Sequence, residues 1–291
     1  SRLLRWPRAA MAELYGETAK MAPSRSVAAV NPAPGPVVEL QDVSVRWGSR
    51  TVLDAVNLQL EPGERLVVVG PSGAGKSTIL RLMAGLLLPS TGAIRIHGTP
   101  QTYLRLDQRH APDVRLVFQN PALLASLTVR QNVGFLLDRF SRLSESEIRQ
   151  RVGDALDAVG LAGTEDLYPG ELSGGMQKRV SFARAVIEDP SQPPGQVPLL
   201  LFDEPTAGLD PVACTRIEDL IVHTTSLVGG SSVVVSHVMS TILRTADRVV
   251  LLYDGAFRWQ GSVGDFQSTT NPYVLQFRTA SLSGPMQPAE L

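Results

Sequence analysis

The strongest constraint on this chain is the loop Gly70–Ser77, which stands between an apolar segment and a helical one. It reads Gly-Pro-Ser-Gly-Ala-Gly-Lys-Ser and matches the pattern G-x-x-x-x-G-K-[ST]. Arg65–Val69 before it is a continuous apolar run, typical of a strand buried on both faces of a parallel sheet. After it, a helix is predicted through Ala84. Glycines let backbone N–H groups surround phosphate oxygens, and a helix N-terminus adds positive dipole. The segment therefore predicts a phosphate-binding strand–loop–helix unit.

The residues of this loop predict a nucleotide site that uses ATP and Mg²⁺ as cofactors. Lys76 can reach the β- and γ-phosphates as a catalytic group, and the Ser77 hydroxyl can ligate Mg²⁺. The strand–loop–helix context disfavours the alternative, a glycine-rich turn without a ligand. The other predicted nucleotide contacts of the loop are Gly70, Pro71, Ser72, Gly73, Ala74, Gly75 and Thr78.

A second apolar segment, Leu199–Phe202, runs directly into two acids, Asp203 and Glu204. A carboxylate at the end of such a strand is needed to hold Mg²⁺ directly or through water, and we assign this position to Asp203. Glu204 points the other way and is predicted to activate the attacking water as general base. The alternative is an exposed pair of loop acids, which the phosphate loop makes less favourable.

Strands that alternate with helices indicate an α/β fold with a mostly parallel sheet. An antiparallel β edge subdomain and an inserted helical subdomain, at about 121–189, complete the predicted architecture. Ser144 and Glu147 form a capping box that begins a helix, and Gly160 ends it. The other predicted strands are Val37–Trp47 and Thr51–Leu60 at the edge, Ser232–Ser236 in the sheet, and Asp247–Tyr253 with Ala256–Gly261 as a terminal hairpin.

Composition excludes some classes of function but does not identify one. The chain has 27 Lys and Arg against 28 Asp and Glu, so no nucleic acid partner is expected. No apolar run approaches the roughly 20 residues that span a bilayer. The single cysteine, Cys214, is expected to be a half-buried residue.

The ends of the chain and one internal loop differ in composition from the rest. Residues 1–36 are predicted to be a disordered, dispensable leader, although their arginines also fit a transit remnant. Pro190–Pro198 is predicted to be a surface insertion without a catalytic part. We expect one ATPase domain over 37–270 and a C-terminal tail over 271–291.

The segment Leu172–Arg179, Leu-Ser-Gly-Gly-Met-Gln-Lys-Arg, resembles the signature motif of the ABC ATPases, with Met at the fifth place. Ser173, Gly174 and Gly175 open a helix and form a second phosphate site. A chain with two phosphate sites and one nucleotide loop suggests that the second serves a neighbour. The resemblance implies the P-loop NTPase ABC ATPase fold and a nucleotide-sandwich homodimer, in which each signature covers the γ-phosphate of the other copy.

Further landmarks of that family follow in order between Val37 and Gly261. Trp47 resembles the aromatic that stacks on adenine, with core packing as the alternative. Asp210, in Ala-Gly-Leu-Asp, resembles the D-loop residue at the dimer interface, with Gly208 where Ala is common. The resemblance implies catalytic roles for Gln119, a Mg²⁺ and water contact that senses the permease, and for His237, a γ-phosphate contact. A purely structural histidine is the alternative there, and Val238 replaces the acid that often follows it.

Segments outside these motifs resemble the ATPases of lipid transporters that work with MCE-domain proteins, both bacterial Mla-type systems and chloroplast trigalactosyldiacylglycerol importers. This resemblance implies an ATPase that powers lipid transport through a membrane permease with an MCE-domain lipid-binding subunit. It implies a peripheral place on the cytoplasmic face of the bacterial inner membrane, or on the stromal face of the chloroplast inner envelope. The segments are Thr206–Pro211, Thr215–Ile221, Tyr253–Gly261, Asn271–Phe277 and Ser283–Pro285.

Three alternatives remain for the function and one for the tail. The motor could serve an importer of a polar solute such as an amino acid. A soluble ABC protein of translation or DNA maintenance usually has two ATPase units or a long coiled coil. A P-loop switch or kinase without a permease does not explain the signature motif. The tail, 271–291, either docks on a partner subunit or caps its own domain, and Asn120–Thr128 is expected to receive the permease.

Overall fold

A six-stranded sheet forms the centre of the molecule in a computed structural model that describes residues 35–108, 111–187 and 197–287. Most of the predicted leader and of the 190–198 loop therefore lies outside the described residues. The strands are β1 (Val38–Trp47), β2 (Arg50–Leu60), β3 (Arg65–Val69), β4 (Thr91–Ile96), β5 (Thr99–Pro100), β6 (Val114–Val117), β7 (Leu199–Asp203), β8 (Ser231–Val235), β9 (Arg248–Tyr253) and β10 (Ala256–Ser262).

The central sheet has the order β10-β9-β3-β8-β7-β6, and all its pairs are parallel except β10 with β9. The strands β3, β8, β7 and β6 are neighbours, so their carboxyl ends meet at one edge. The phosphate loop follows β3 and His237 follows β8, while the two acids end or follow β7 and Gln119 follows β6. Strand order thus brings four distant motifs together, at the edge where open α/β sheets bind ligands.

Alternation along the buried strands divides the interior into two cores. In β3, Leu66 and Val68 belong to the core shared with the antiparallel sheet, whereas Val67 and Val69 belong to the core under the helices. The same alternation holds in β7, where Leu201 and Phe202 lie in different cores. A strand with two buried faces must be apolar at every position, which explains the continuous runs in the sequence.

The edge subdomain is a four-stranded antiparallel sheet with the order β2-β1-β4-β5. The predicted pair of edge strands is confirmed, since β1 and β2 pair antiparallel from Val38–Leu60 to Trp47–Arg50. The sequence reading did not identify β4, β5 or β6. These strands are short or carry few buried residues, so their periodicity is weak.

The helices are α1 (Lys76–Met83), α2 (Val129–Phe140), α3 (Glu145–Ala158), α4 (Gly174–Val186), α5 (Pro211–Leu227), α6 (Met239–Thr245), α7 (Val263–Ser268) and α8 (Pro272–Thr279). Helices α2, α3 and α4 form the predicted helical insertion, and the described residues from 121 to 187 contain no strand. The predicted capping box of α3 is confirmed, because Ser144 N–H donates to Glu147 Oε2 at 2.8 Å and Glu147 N–H donates to Ser144 Oγ at 3.3 Å.

The β9–β10 hairpin was predicted to be terminal, and this is wrong because α7 and α8 follow it. Val274 of α8 and Met286 after it are buried in the core under the helices, and Gln276 Nε2 donates to the Met286 carbonyl at 2.8 Å. The tail therefore packs on its own domain as far as residue 287. None of the helices in the described ranges has the length and apolar character needed to cross a bilayer.

Candidate functional site

The phosphate loop is shaped by two glycines that no other residue could replace without displacing the backbone. Gly70 has φ +150°, and a Cβ there would lie 2.1 Å from the Leu252 carbonyl oxygen. Gly75 has φ +103°, and its Cβ would lie 3.0 Å from Leu53 and from the Val52 carbonyl. The loop is thus pressed against β9 on one side and β2 on the other. Helix α1 follows the loop directly, and its first N–H groups have no partner within the helix.

Lys76 is buried at the start of α1 and points back into the loop. Its Nζ donates to the carbonyl oxygens of Gly70 and Pro71, both at 2.9 Å. Burial lowers the pKa of Lys76, while the charges of Glu204 and Asp203 act in the opposite direction. The ammonium is therefore held inside the loop and within electrostatic reach of both acids.

Ser77 and Asp203 meet although they are far apart in the sequence. Ser77 Oγ donates to Asp203 Oδ1 at 3.0 Å. Burial raises the pKa of Asp203, the Ser77 hydroxyl lowers it, and the charge of Glu204 raises it further. An octahedral Mg²⁺ has ligands at about 2.1 Å, so two neighbouring ligand oxygens lie about 3 Å apart. The spacing of these oxygens and the half-buried carboxylate fit Mg²⁺, although no cluster of three acidic, histidine or cysteine ligands occurs in the described ranges.

Glu204 follows Asp203 directly but has different partners. Its Oε1 lies 2.9 Å from His237 Nδ1 at the end of the neighbouring strand, and its N–H donates to the Val235 carbonyl at 3.0 Å. Its φ of +44° is unusual for a residue with a side chain. Its Oε2 is buried and has no hydrogen-bond partner among the described residues. One oxygen of Glu204 is therefore oriented by His237, and the other is turned away from bulk solvent.

The other predicted contacts differ in their exposure to solvent. Gln119 is exposed directly after β6, as are Ser72 and Gly73 in the loop, while Ala74 and Thr78 are buried. Trp47 is 49% exposed at the end of β1, which excludes the core-packing alternative.

The start of α4 is separate from this cluster in its contacts. Ser173 Oγ accepts a hydrogen bond from Met176 N–H at 3.3 Å and caps the helix. A Cβ at Gly174 or Gly175 would meet no atom within 4 Å. Within the described residues, no hydrogen bond joins Ser173 to the phosphate loop. The predicted second phosphate site is thus an open helix N-terminus at the surface.

Asp210, predicted to lie at the dimer interface, has a local role as well. Its Oδ1 accepts hydrogen bonds from the N–H groups of Val212 and Ala213, both at 3.0 Å, so it caps α5. Cys214 lies one turn further along and is half-buried, as expected.

Two buried charged residues near the site were missed by the sequence reading. Lys178 of α4 donates to the carbonyls of Pro205 and Ala207, and Glu218 of α5 is fully buried. Lys178 could have been recognised from its position along the helix, because it lies on the same buried face of α4 as Ser181 and Ala185. A lysine in register with an apolar face indicates a specific acceptor.

The chain is similar to known proteins over most of its length. A protein-family model described as ABC transporter matches residues 53–207. The protein TRIGALACTOSYLDIACYLGLYCEROL 3, chloroplastic, of Arabidopsis thaliana is 47% identical over 261 residues, which cover 86% of this chain and 76% of the plant protein. The intermembrane phospholipid transport system ATP-binding protein MlaF of Haemophilus influenzae is 34% identical over 255 residues, which cover 86% of this chain and 93% of MlaF.

A solved structure shows the same fold. It is a dimeric post-hydrolysis state of the ATP-binding cassette MJ0796 bound to ADP and Pi. The TM-score is 0.67 at 28% identity, and the match covers 78% of this chain and 98% of that cassette.

Proposed function

The chain belongs to the ABC transporter family and is an ATP-hydrolysing subunit, and from this premise we propose that it powers lipid transport through a separate membrane permease. The proposal of a lipid cargo is supported by the similarity to a trigalactosyldiacylglycerol protein and to a phospholipid transport ATPase over most of their lengths. The segments Thr206–Pro211 and Tyr253–Gly261 also resemble the ATPases of lipid transporters that work with MCE-domain proteins.

The phosphate loop and the Ser77–Asp203 pair bind the nucleotide in this proposal. The backbone of Gly70–Gly75 surrounds the phosphates, and the Lys76 ammonium moves from the loop carbonyls to the β- and γ-phosphate oxygens. Ser77, Asp203 and Gln119 are the residues that would hold Mg²⁺. When bound, the metal neutralises phosphate charge as hydrolysis proceeds.

The single observation that carries the hydrolytic mechanism is the environment of Glu204. Its Oε2 has no partner in the described part of the chain, so this oxygen can accept a proton from a water molecule once the carboxylate turns toward a bound nucleotide. His237 holds the other oxygen at 2.9 Å and orients the carboxylate. His237 is itself exposed, so its ring is also accessible to the γ-phosphate of a bound nucleotide.

A second copy of the chain completes the site. The open N-terminus of α4, with Ser173, Gly174 and Gly175, offers N–H groups to a phosphate that this chain does not itself bring to it. The dimeric state of the MJ0796 cassette supports a head-to-tail pair. Trp47 then stacks on the adenine, and Asp210 lies at the interface between copies.

The membrane partners are a permease and an MCE-domain lipid-binding subunit. The segment Asn120–Thr128 follows Gln119 at the same sheet edge and is proposed to receive the permease. The C-terminal tail packs on its own core, so any contact with a partner must use its outward face, including the exposed Leu275. The chain works on the side of the membrane that supplies ATP, which is either the bacterial cytoplasm or the chloroplast stroma. Fractionation of the source cells distinguishes these two locations.

The base assignment is tested by Glu204→Gln, with Glu61→Gln as the control at the opposite end of β3. Loss of the base should lower turnover by about 10³-fold, because general base catalysis contributes about 10²- to 10⁴-fold. ATP binding and ATP-driven dimerisation should persist, as measured by equilibrium binding and light scattering. Normal turnover in Glu204→Gln contradicts the assignment.

The cargo is tested on the tagged chain purified from detergent-solubilised native membranes. Mass spectrometry should identify a permease and an MCE-domain protein, and extraction should recover bound lipid. Recovery of a permease with a soluble solute-binding protein overturns the lipid assignment and leaves the ATPase assignment intact.

A further inference from the structure

Lys178 connects the helix that begins at Ser173 to the segment that follows Glu204. It lies in the second turn of α4, is only 9% exposed, and donates from Nζ to the Pro205 carbonyl at 3.1 Å and to the Ala207 carbonyl at 2.5 Å. Both acceptors flank Thr206 in the segment between Glu204 and Asp210. A single side chain therefore ties the signature helix to the backbone next to the proposed base.

The burial of this cation requires an explanation. Burial lowers the pKa of Lys178, while the charges of Cys214 and Glu204 raise it, so the ammonium lies within electrostatic reach of the Glu204 carboxylate. Placing a cation in a partly desolvated position costs free energy unless it satisfies polar groups. The carbonyls of Pro205 and Ala207 are those groups, and an apolar residue at 178 would leave them without this donor.

The same segment is held from its other side through Thr206. Thr206 Oγ1 lies 3.0 Å from Thr241 Oγ1 of α6, and Thr241 donates to the fully buried Glu218 at 2.9 Å. Segment 205–207 is thus clamped between α4 on one side and α5 with α6 on the other. Helix α6 begins at Met239, two residues after His237, so the clamp contacts segments that adjoin both partners of the Glu204–His237 contact.

The backbone of Glu204 makes this clamp relevant to catalysis. Its φ of +44° lies in the left-handed region, which a residue with a side chain adopts only when its surroundings impose it. Pro205 is the next residue, and its carbonyl is one of the two that Lys178 binds. A shift of segment 205–207 would rotate the Glu204 carboxylate away from His237.

We propose that Lys178 is a positioning residue for ATP hydrolysis, which holds Glu204 in its active orientation only while the signature helix is in place. The inference rests on the proposed role of Glu204. Because Ser173–Gly175 of that helix are proposed to contact the nucleotide of the other copy, Lys178 links the nucleotide at one site to the base at the other. Loss of Lys178 thus weakens this link without touching the nucleotide itself.

The test compares Lys178→Met with Arg278→Met in the full chain purified with its membrane subunits. Arg278 of α8 also donates to two backbone carbonyls, but those of Phe266 and Gln267 in α7. In Lys178→Met, kcat should fall about tenfold or more, because small misplacements of a catalytic group can cost 10²-fold. The KM for ATP should stay within about twofold, since ground-state binding is retained. Arg278→Met should keep the wild-type kcat.

The single cysteine gives a readout of the segment that is independent of activity. Cys214 Sγ lies 3.6 Å from the carbonyl oxygens of Thr206 and Leu209, so its exposure reports on the same backbone. Its alkylation by iodoacetamide should be several-fold faster in Lys178→Met than in the wild type and in Arg278→Met, at equal thermal stability. Lys178→Gln, which keeps amide donors, should partly restore both kcat and the slow alkylation, and it serves as the test if Lys178→Met does not fold.

The outcomes separate this inference from the proposed function. If the wild type is active, Glu204→Gln is inactive, and Lys178→Met matches Arg278→Met in kcat and alkylation rate, the role of Lys178 is wrong. If Glu204→Gln turns over normally, the base assignment fails, and the role of Lys178 fails with it. A fall in kcat together with faster alkylation, confined to Lys178→Met, supports the role.

Discussion

Two glycine-rich segments open helices in this molecule, and their glycines are required for different reasons. In the phosphate loop, Gly70 and Gly75 have positive φ, and added Cβ atoms would collide with β9 or press on β2. At the start of α4, Gly174 and Gly175 have no positive φ and face open space. The first pair is needed by the chain's own packing, whereas nothing inside the chain requires the second pair.

The difference shows where each site is completed. The phosphate loop already has its cation and its metal-binding oxygens, since Lys76 and the Ser77–Asp203 pair lie within it or against it. The start of α4 has free N–H groups and a serine cap. Glycines that the chain's own packing does not require are best explained by close approach of something outside it, as the proposed dimer provides.

The largest expected effect on the free chain comes from Gly70→Ala. Its Cβ would lie 2.1 Å from the Leu252 carbonyl oxygen, so either the loop or β9 must move. We expect the free energy of unfolding to fall by about 3 kcal/mol or more, from overpacking and backbone strain together. Urea denaturation measures the change. The control is Gly73→Ala, which has positive φ but open space and should lose only about 1 kcal/mol. Equal losses would show that the contact with β9 is unimportant.

The next largest effect is expected in the affinity for Mg²⁺-ATP rather than in the stability of the fold. Ser77→Ala should weaken the affinity for Mg²⁺-ATP by about tenfold, within the range seen when groups around a metal are removed. Binding of ATP in EDTA should change little, because the loop and Lys76 remain. Isothermal titration with and without Mg²⁺ measures both, and Ser146→Ala on the exposed side of α3 is the control. An equal loss with and without Mg²⁺ would place Ser77 on the phosphates instead.

A pH dependence follows from the raised pKa of Asp203, which is caused by burial, opposed by the Ser77 hydroxyl, and increased by the charge of Glu204. The folded chain holds this proton more tightly than the unfolded chain, so Asp203 destabilises the fold once it is ionised. The penalty should disappear as pH falls from the raised folded pKa toward the unfolded value of about 3.9. In EDTA, Asp203→Asn should therefore be the more stable form at neutral pH, and its advantage should shrink on acidification. A constant difference in Tm across pH contradicts the assignment.

The smallest effect on stability is expected at Gly174, although the effect on function is large. Gly174→Ala should raise the free energy of unfolding by no more than about 1 kcal/mol, since alanine favours the helix. Turnover should fall at least about tenfold, because the added methyl obstructs the nucleotide of the other copy. Gly153→Ala is the matched control, as it is also helical and faces open space. If both variants turn over like the wild type, the comparison between the two glycine segments fails.

Much of the fold could be predicted from local pattern. The β1–β2 pair, the apolar strands β3, β7 and β8, and the capped helix α3 were all recognised, because burial on two faces and capping are encoded within a few residues. The strands β4, β5 and β6 were not recognised, since their partly exposed residues leave no clear period. The sequence predicts a terminal hairpin because the short helices α7 and α8 that follow it have only one or two buried residues each.

The site was predicted as a set of residue types, and the structure brings most of them to one sheet edge. Residues of the phosphate loop, Asp203, Glu204 and His237 are joined by hydrogen bonds or ion pairs there. Their roles in hydrolysis remain proposals that the variants above test. Lys178 and the buried Glu218 were missed, because their partners are backbone carbonyls and hydroxyls that no motif marks.

The sequence by itself determined the family, the nucleotide chemistry and the local elements, because glycine loops, caps and apolar runs act over a few neighbouring residues. Only the tertiary structure decided which ends of these elements meet. Ser77 and Asp203 are 126 positions apart, and their contact depends on the order β3-β8-β7 in the sheet. The positive φ of Glu204 and its clamp through Lys178 likewise arise from packing between helices and strands. Hydrophobic periodicity specifies which face of a strand is buried, but it does not specify which strand lies beside it.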